Sequence, residues 1–183
     1  MSQTTLTKKH TYTIDPAHSS VRFWVKHLMI SKVHGELSEI SGSVIADPSD
    51  YSTAELDITI QTESLSTRQE QRDAHLKGAD FLDVEHFPTI TFKSKRVVPT
   101  REGEADIIGD LTLRGVTREV TLKAEISPEA VSPFGGYKVG ASATMVINRE
   151  DFGITWNMLL ETGGITVGKE IHLMIDVELD RPE

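Results

Sequence analysis

Hydrophobic and polar residues alternate with a period of two along most of this chain, which is the pattern of half-buried β-strands. The strictest run places Ala54, Leu56, Ile58 and Ile60 on one face and polar residues on the other. Similar runs recur through both halves and are joined mostly by short turns. They indicate about eight strands, a number that closes an antiparallel barrel with room for side chains or one ligand. The pattern therefore predicts an all-β fold, an antiparallel β-barrel.

One segment, about residues 67–87, interrupts the alternation and predicts a short helical insertion. Thr67 is a candidate N-cap, and Glu70 follows three residues later as its capping-box partner. Gly78 can end the helix, and Asp80 can start a second short turn. Strand alternation resumes after residue 88. We expect this insertion to cover one end of the barrel.

Small residues recur on the inward faces of the predicted strands, and they do not decide whether the barrel interior is hollow or filled. The positions are Ala54, Gly109, Ala124, Ala141 and Ala143. Such residues either leave a space for a ligand or fit the taper of a filled barrel, and periodicity favours neither.

The irregular segment from residue 151 to 168 mixes large apolar side chains with three glycines before its last residue. A loop of this length and composition is expected to pack over the barrel. It is either a lid beside an opening or a plug of the core.

Composition narrows the classes of function. The 183 residues suit one domain, and 38% hydrophobic with 26% charged residues is ordinary for a globular protein. A net charge of -9 disfavours nucleic acids and anionic membrane surfaces as partners. The absence of cysteine excludes disulfides, thiolate metal sites and thiol catalysis.

No run in the sequence has the length and apolar character of a signal peptide or of a membrane span. We therefore expect a soluble, cytoplasmic protein.

Two groups of polar residues invite a catalytic or metal-binding hypothesis. The insertion contains a cluster around His75, formed with Asp73, Asp80, Asp83 and His86. Its spacing matches no common metal motif, since Asp73 and His75 would face differently on a helix. Hydrolase residue types also occur together, but no GxSxG elbow accompanies Asp15, His18, Ser19 and Ser20. A metal-dependent or hydrolytic enzyme using the cluster around His75 remains the alternative function.

Four longer motifs carry a family resemblance. They are YTIDPAHSSVRFWVKH, SLSTRQEQRDAHLKGADFLDVEHFPTITFKS, GDLTLRGVTREVTL and INREDFGI. Together they resemble the YceI-like family of polyisoprenoid-binding proteins, from about Tyr12 to Glu178. The resemblance implies a single domain over residues 12–183 after a tail of residues 1–11. It implies a lipocalin-like barrel with an elongated pocket for a polyisoprenoid, an isoprenoid quinone or a similar lipid, often as a homodimer. It supplies no catalytic residues and no covalent cofactor.

The resulting hypothesis is a barrel that sequesters or carries a lipophilic molecule and has no chemistry of its own. The expected apolar lining comprises Phe23, Val25, Leu56, Ile58, Phe81, Phe87, Phe92, Leu111, Leu113, Ala141, Met145, Trp156 and Leu159. The polar end of the site is expected to draw on His18, His27, Asp73, His75 or Asp80. A filled barrel that serves as an interaction module without ligand is the third alternative.

Overall fold

The computed structural model describes residues 8–161 and 163–183, which form twelve strands and one α-helix. In chain order these are β1 (His10–Ile14), β2 (Ser20–His27), β3 (Ser31–Leu37), β4 (Ile40–Asp47), β5 (Asp50–Gln61), β6 (Leu65–Ser66), α1 (Glu70–Lys77), β7 (Thr89–Arg101), β8 (Glu104–Leu113), β9 (Val116–Ile126), β10 (Ala130–Val131), β11 (Tyr137–Asn148) and β12 (Val167–Arg181). Short 3-10 turns occupy Pro16–His18, Thr62–Ser64 and Arg149–Phe152.

The sheet closes on itself as an antiparallel barrel. Its strands follow the order β1, β4, β5, β7, β8, β9, β11 and β12, and β12 pairs with both β11 and β1. The predicted eight-stranded β-barrel is therefore confirmed. Closure leaves these eight strands without a free edge, which is how antiparallel barrels satisfy their backbone hydrogen bonds.

One end of the barrel is extended by three further strands. β2 pairs with β12 beside β1, along the same edge, and β3 and β6 continue from β2. Gly35 in β3 lies opposite Phe23 in β2. A Cβ atom on Gly35 would lie 2.4 Å from Cζ of Phe23, so glycine is needed for this ring to fill the interior. The extension creates a second chamber at this end.

The insertion between β6 and β7 contains the predicted helix, but its start differs from the prediction. The N-cap is Gln69, whose side chain accepts the N–H of Arg72. Thr67 does not cap the helix, because its buried hydroxyl donates to the Asp73 carboxylate instead. Gly78 is the C-cap, as expected, and its N–H donates to the His75 carbonyl at 3.1 Å.

The other end of the barrel is closed by a polar group of side chains. The hydroxyl of the buried Tyr12 donates to Glu129, and Arg181 donates two hydrogen bonds of 3.0 and 2.9 Å to the same carboxylate. The Arg181 guanidinium also lies 3.8 Å from the ring centre of Tyr137. These contacts join β1, β11, β12 and the segment before β10.

Two predictions about the chain as a whole, the N-terminal tail and the absence of a membrane span, can be compared with the structure only for the described residues. The predicted tail of residues 1–11 includes 1–7, which lie outside the described residues, and β1 already begins at His10. Within the described part of the chain, no helix is both long and apolar enough to cross a membrane.

Candidate functional site

Two adjoining cavities occupy the interior. The first, of about 170 Å³, lies among the inward side chains of all eight barrel strands. These side chains are apolar apart from Tyr12, Tyr51 and Ser142. The second, of about 280 Å³, lies beneath the insertion and the loop before β12. The cavities share five lining residues, Leu37, Ile90, Leu113, Ile147 and Leu173. The two cavities therefore adjoin, and these five side chains lie where they meet.

Small inward residues make room for the first cavity. Ala54, Ala124, Ala141 and Ala143 all line it. Gly109 has a different role, because a Cβ atom there would lie 2.3 Å from the Lys93 carbonyl oxygen. Four of the five small positions thus face the internal space, and the fifth allows two strands to approach closely.

Three aromatic side chains cover the second cavity. His75 comes from α1, Phe81 from the turns after it, and Trp156 from the loop before β12. Their ring centres are 4.7 Å apart for His75 and Trp156, 5.1 Å for His75 and Phe81, and 5.3 Å for Phe81 and Trp156. The first two pairs are edge-to-face, a favoured aromatic geometry. The insertion and the loop therefore form one cover.

Arg149 holds this cover to the barrel wall. It is the first residue after β11, two positions beyond the inward Ile147, and is only 2% exposed. Its guanidinium donates to four backbone carbonyls, those of Ile154 (2.8 Å), Trp156 (2.9 Å), Gly168 (2.9 Å) and Val167 (3.3 Å). Burial lowers the pKa of Arg149, yet the ordinary value is so high that the group stays charged. Because these carbonyls come from both sides of the loop, one side chain fixes its path.

Asn157 also stabilises this loop, through hydrogen bonds between the two ends of the loop. Its side-chain oxygen accepts the N–H groups of Met158, Thr166 and Val167 at 3.0 to 3.1 Å, and its amide donates to the Val167 carbonyl at 2.7 Å. The described residues of the segment predicted as a lid or a plug thus form a cover over the second cavity.

The charged side chains that line the second cavity are all basic. They are Lys26, His27, Arg72, His75 and Arg149, and no aspartate or glutamate of the described residues lines this cavity. Arg72 also donates to the Thr67 hydroxyl at 2.7 Å. Lys26, Arg72 and Arg149 therefore bring positive charge to the covered end, where His75 also pairs with Asp80, whereas the first cavity is lined by uncharged side chains.

The structure brings most of the predicted site residues together. Leu56, Ile58, Phe92, Leu111, Ala141 and Met145 line the first cavity. Phe23, Val25, His27, His75, Phe81 and Trp156 line the second, and Leu113 lines both.

Five predicted residues lie outside both cavities. Phe87 packs over Gly115, Asp73 bonds to Thr67, and Asp80 pairs with His75 at 2.9 Å. Leu159 is 82% exposed, and His18 lies on the outer surface beside Asp15. In each case a partner or an exposed turn directs the side chain away from the interior.

Arg149 was not among the predicted residues, although the sequence contains a signal for it. The inward parity of β11 runs from Tyr137 through Ile147 and reaches Arg149 next. An arginine at an inward position needs buried acceptors, which a strand pattern alone does not identify.

The cluster around His75 does not assemble as a metal site in the described residues. Asp73 is directed to Thr67, so His75 and Asp80 remain as a simple pair. The His/Asp/Glu group that the structure does bring together is Asp15, His18 and Glu178 on the surface. The hydrogen bond that the His18 ring donates to the Asp15 carboxylate raises the pKa of His18, and Lys138 donates to Glu178. These carboxylates therefore already have cationic partners within the chain.

Comparisons with known proteins agree with the fold. A UPF0312 protein of Staphylococcus aureus (strain MSSA476) is 40% identical over 173 residues, which are 94% of this chain and 98% of the relative. The crystal structure of the Campylobacter jejuni YceI protein is 32% identical with a TM-score of 0.71 and covers 86% of this chain and 90% of that one. A polyisoprenoid binding domain from Saccharophagus degradans, 13% identical, has the same fold with a TM-score of 0.67 over 93% of this chain and 98% of its own.

The family model for the YceI-like domain matches residues 12–179. That range includes the insertion, the loop over the second cavity and every strand of the barrel except the first two residues of β1 and the last two of β12. The chain belongs to the YceI-like family.

Proposed function

We propose that this protein binds a polyisoprenoid, an isoprenoid quinone or a similar amphiphilic lipid in the two joined cavities, and that it does so without chemistry of its own. The observation that carries this proposal is the pair of adjoining cavities, the first apolar along the barrel and the second lined by apolar and basic side chains beneath the cover. The name of the Saccharophagus degradans domain, which has the same fold, supports the same class of ligand.

The interior suggests how such a lipid is oriented. A hydrocarbon tail in the first cavity gains about 25 cal/mol for each Å² removed from water and needs no directional contact. The hydroxyls of Tyr12 and Tyr51 offer it little polarity, because they are bonded to Glu129 and to the Ser127 carbonyl. The head group then lies beneath the cover, where His27, His75 and Arg72 can donate to its oxygen atoms.

The test compares an inward and an outward phenylalanine on the same strand. Ala143 lines the first cavity, whereas its neighbour Thr144 is exposed on the outer face of β11. We expect Ala143→Phe to weaken the binding of a fluorescent apolar probe by about tenfold or more, a loss of ~1.4 kcal/mol. Thr144→Phe is the matched control and should bind like the wild type. Mass spectrometry of an organic extract of the purified protein identifies any lipid carried through purification.

A filled barrel would give a different result. A filled barrel would be destabilised by Ala143→Phe by ~1–3 kcal/mol, since the neighbours must leave their rotamers. If thermal melts show that loss, and the wild type takes up neither the probe nor a cellular lipid, the lumen does not bind ligand and the proposal fails.

A further inference from the structure

Two loop tips carry exposed apolar side chains beside the second cavity. The hairpin tip, residues 28–30, connects β2 to β3, and its Ile30 is 85% exposed. The loop tip, residues 158–159, lies in the cover and exposes Leu159. The Leu28 N–H donates to the Thr166 carbonyl at 2.9 Å, and the Thr166 N–H donates to the Met158 carbonyl at 3.1 Å, so Thr166 links the two tips. His27 and Thr166 both line the cavity, so the tips border its rim.

The backbone of the hairpin tip is unfavourable for the residues it contains. Leu28 and Met29 have φ angles of 52° and 60°, within a turn closed by the Ile30 N–H on the His27 carbonyl. Consecutive positive φ angles in a hairpin favour asparagine and glycine. Met29 is about half exposed, so burial compensates little for this strain. Strain of this kind without a packing reward points to a function for the side chains.

The charge behind the hairpin tip is opposite to that of the whole chain. Lys26 and Lys32 face each other directly across β2 and β3, and both are exposed. Neither forms an ion pair with any carboxylate of residues 8–161 and 163–183, and like charges in this position repel. The Lys32 ammonium lies 3.9 Å from the ring centre of Trp24. This local positive charge occurs in a protein of net charge -9, with Glu161 as the carboxylate that follows the loop tip.

We propose that the hairpin tip and the loop tip dock on a lipid bilayer that contains anionic phospholipid. The apolar tips enter the boundary between head groups and acyl chains, Lys26 and Lys32 meet phosphates, and Trp24 lies near head-group level. This inference rests on the proposed function, because a protein that loads a lipid from a bilayer needs its cavity rim against that bilayer. Docking in this orientation lets the lipid pass into the cavity without crossing water.

Vesicle flotation of the full chain tests the docking surface. The probes are phosphatidylcholine vesicles with and without phosphatidylglycerol. The variant Met29→Asn with Ile30→Ser removes the apolar tip and keeps a residue that tolerates positive φ at position 29. We expect it to bind the anionic vesicles about tenfold more weakly than the wild type. Phe134→Ser is the matched control, because Phe134 is 95% exposed in the loop before β11, at the opposite end of the barrel.

A second variant tests the contribution of Lys26 and Lys32 to vesicle binding. Lys26→Gln with Lys32→Gln should remove the preference for phosphatidylglycerol and the salt dependence of binding, while thermal melts show that each variant is folded. Transfer of an apolar probe from vesicles to protein should slow in the tip variant, while equilibrium uptake of a water-dispersed probe stays at the wild-type level.

Several outcomes would overturn the docking surface. These are a wild type that binds no vesicles, a tip variant that binds like the Phe134→Ser control, and a solution dimer that the tip variant separates, which would assign the tips to a protein interface. If the protein takes up the probe but binds no vesicles, the docking surface is contradicted and the internal lipid site is not. Tip-dependent vesicle binding without uptake of any apolar probe supports the docking surface and contradicts the internal lipid site.

Discussion

Arg149 is the residue on which the cover of the cavity depends most. Its guanidinium has five donors in a planar fork and serves four backbone carbonyls at once, one of which, that of Val167, also accepts from Asn157. A lysine ammonium has three donors at a single point and cannot reach all four. The charge alone is therefore not a substitute for the shape of this side chain.

We predict that Arg149→Lys destabilises the protein by roughly 3 kcal/mol, because each buried carbonyl left unpaired costs ~1–3 kcal/mol. Chemical denaturation measures the loss, and tryptophan fluorescence should also report a more solvated Trp156. Arg118→Lys is the control, since Arg118 is exposed, and its effect should stay within about 0.5 kcal/mol. An unchanged unfolding midpoint for Arg149→Lys would show that the four hydrogen bonds do not hold the loop.

At the level of elements, the insertion depends on a polar anchor more than on burial. No residue of α1 is fully buried. The helix is held at Thr67, whose N–H and hydroxyl donate to Asp73 and whose hydroxyl and carbonyl accept from Arg72. An eight-residue helix is too short to be stable alone, so this anchor fixes the position of His75 and Phe81.

Replacing Thr67 by an isosteric apolar residue tests the anchor. Thr67→Val removes the hydroxyl and should destabilise the insertion by ~1–2 kcal/mol, because Asp73 and Arg72 each lose a buried partner. Thr67→Ser keeps the hydroxyl and should retain most of the stability. Hydrogen exchange of the amides in α1 is the direct measurement. Equal protection in both variants would argue that packing, rather than the hydroxyl, holds the helix.

For the molecule as a whole, closure at the end opposite the cover depends on Glu129. This carboxylate joins Tyr12 in β1 to Arg181 at the end of β12, and the side chains of Glu129 and Arg181 are only 15% and 13% exposed. The hydrogen bond from Arg181 lowers the pKa of Glu129 below its ordinary value of 4.5. A lowered folded-state pKa means that the contribution to stability is complete above the unfolded value and is lost as pH falls through the folded one.

Glu129→Gln should therefore destabilise the protein by about 2 kcal/mol at neutral pH, the scale of hydrogen bonds to charged groups. The difference from the wild type should begin to shrink below pH about 4.5, where the carboxylate of the unfolded chain becomes protonated, and should be lost as the pH falls through the lowered pKa of the folded carboxylate. Thermal melts at pH values from neutral into the acidic range give the measurement. Glu55→Gln disrupts an exposed pair with Lys9 and should change stability by less than ~1 kcal/mol. If the difference in stability between Glu129→Gln and the wild type does not change with pH, the charge of Glu129 does not stabilise the protein.

The alternation of side chains was sufficient to predict the barrel, its strand count and the inward faces. Period-two patterning is a local property, and each inward residue from Ala54 to Ile60 keeps its side in the structure. The place of the insertion followed from local signals too, with Gly78 at the helix end. The N-cap did not, because the partner of Thr67 is Asp73, and a local capping rule does not weigh a competing carboxylate.

The sequence by itself determined the family, the closed antiparallel sheet and an apolar interior, since these depend on periodicity and on motifs that are continuous in the chain. Tertiary structure alone decided that the small residues border a cavity, since a void depends on what faces them across the barrel. It also separated His27 and His75, which line the cavity, from Asp73 and Asp80, which do not. The physical reason is that a polar side chain points toward its hydrogen-bond partners. Those partners come from residues distant in sequence or from turns, and the hydrophobic period of the sequence does not encode the geometry of either.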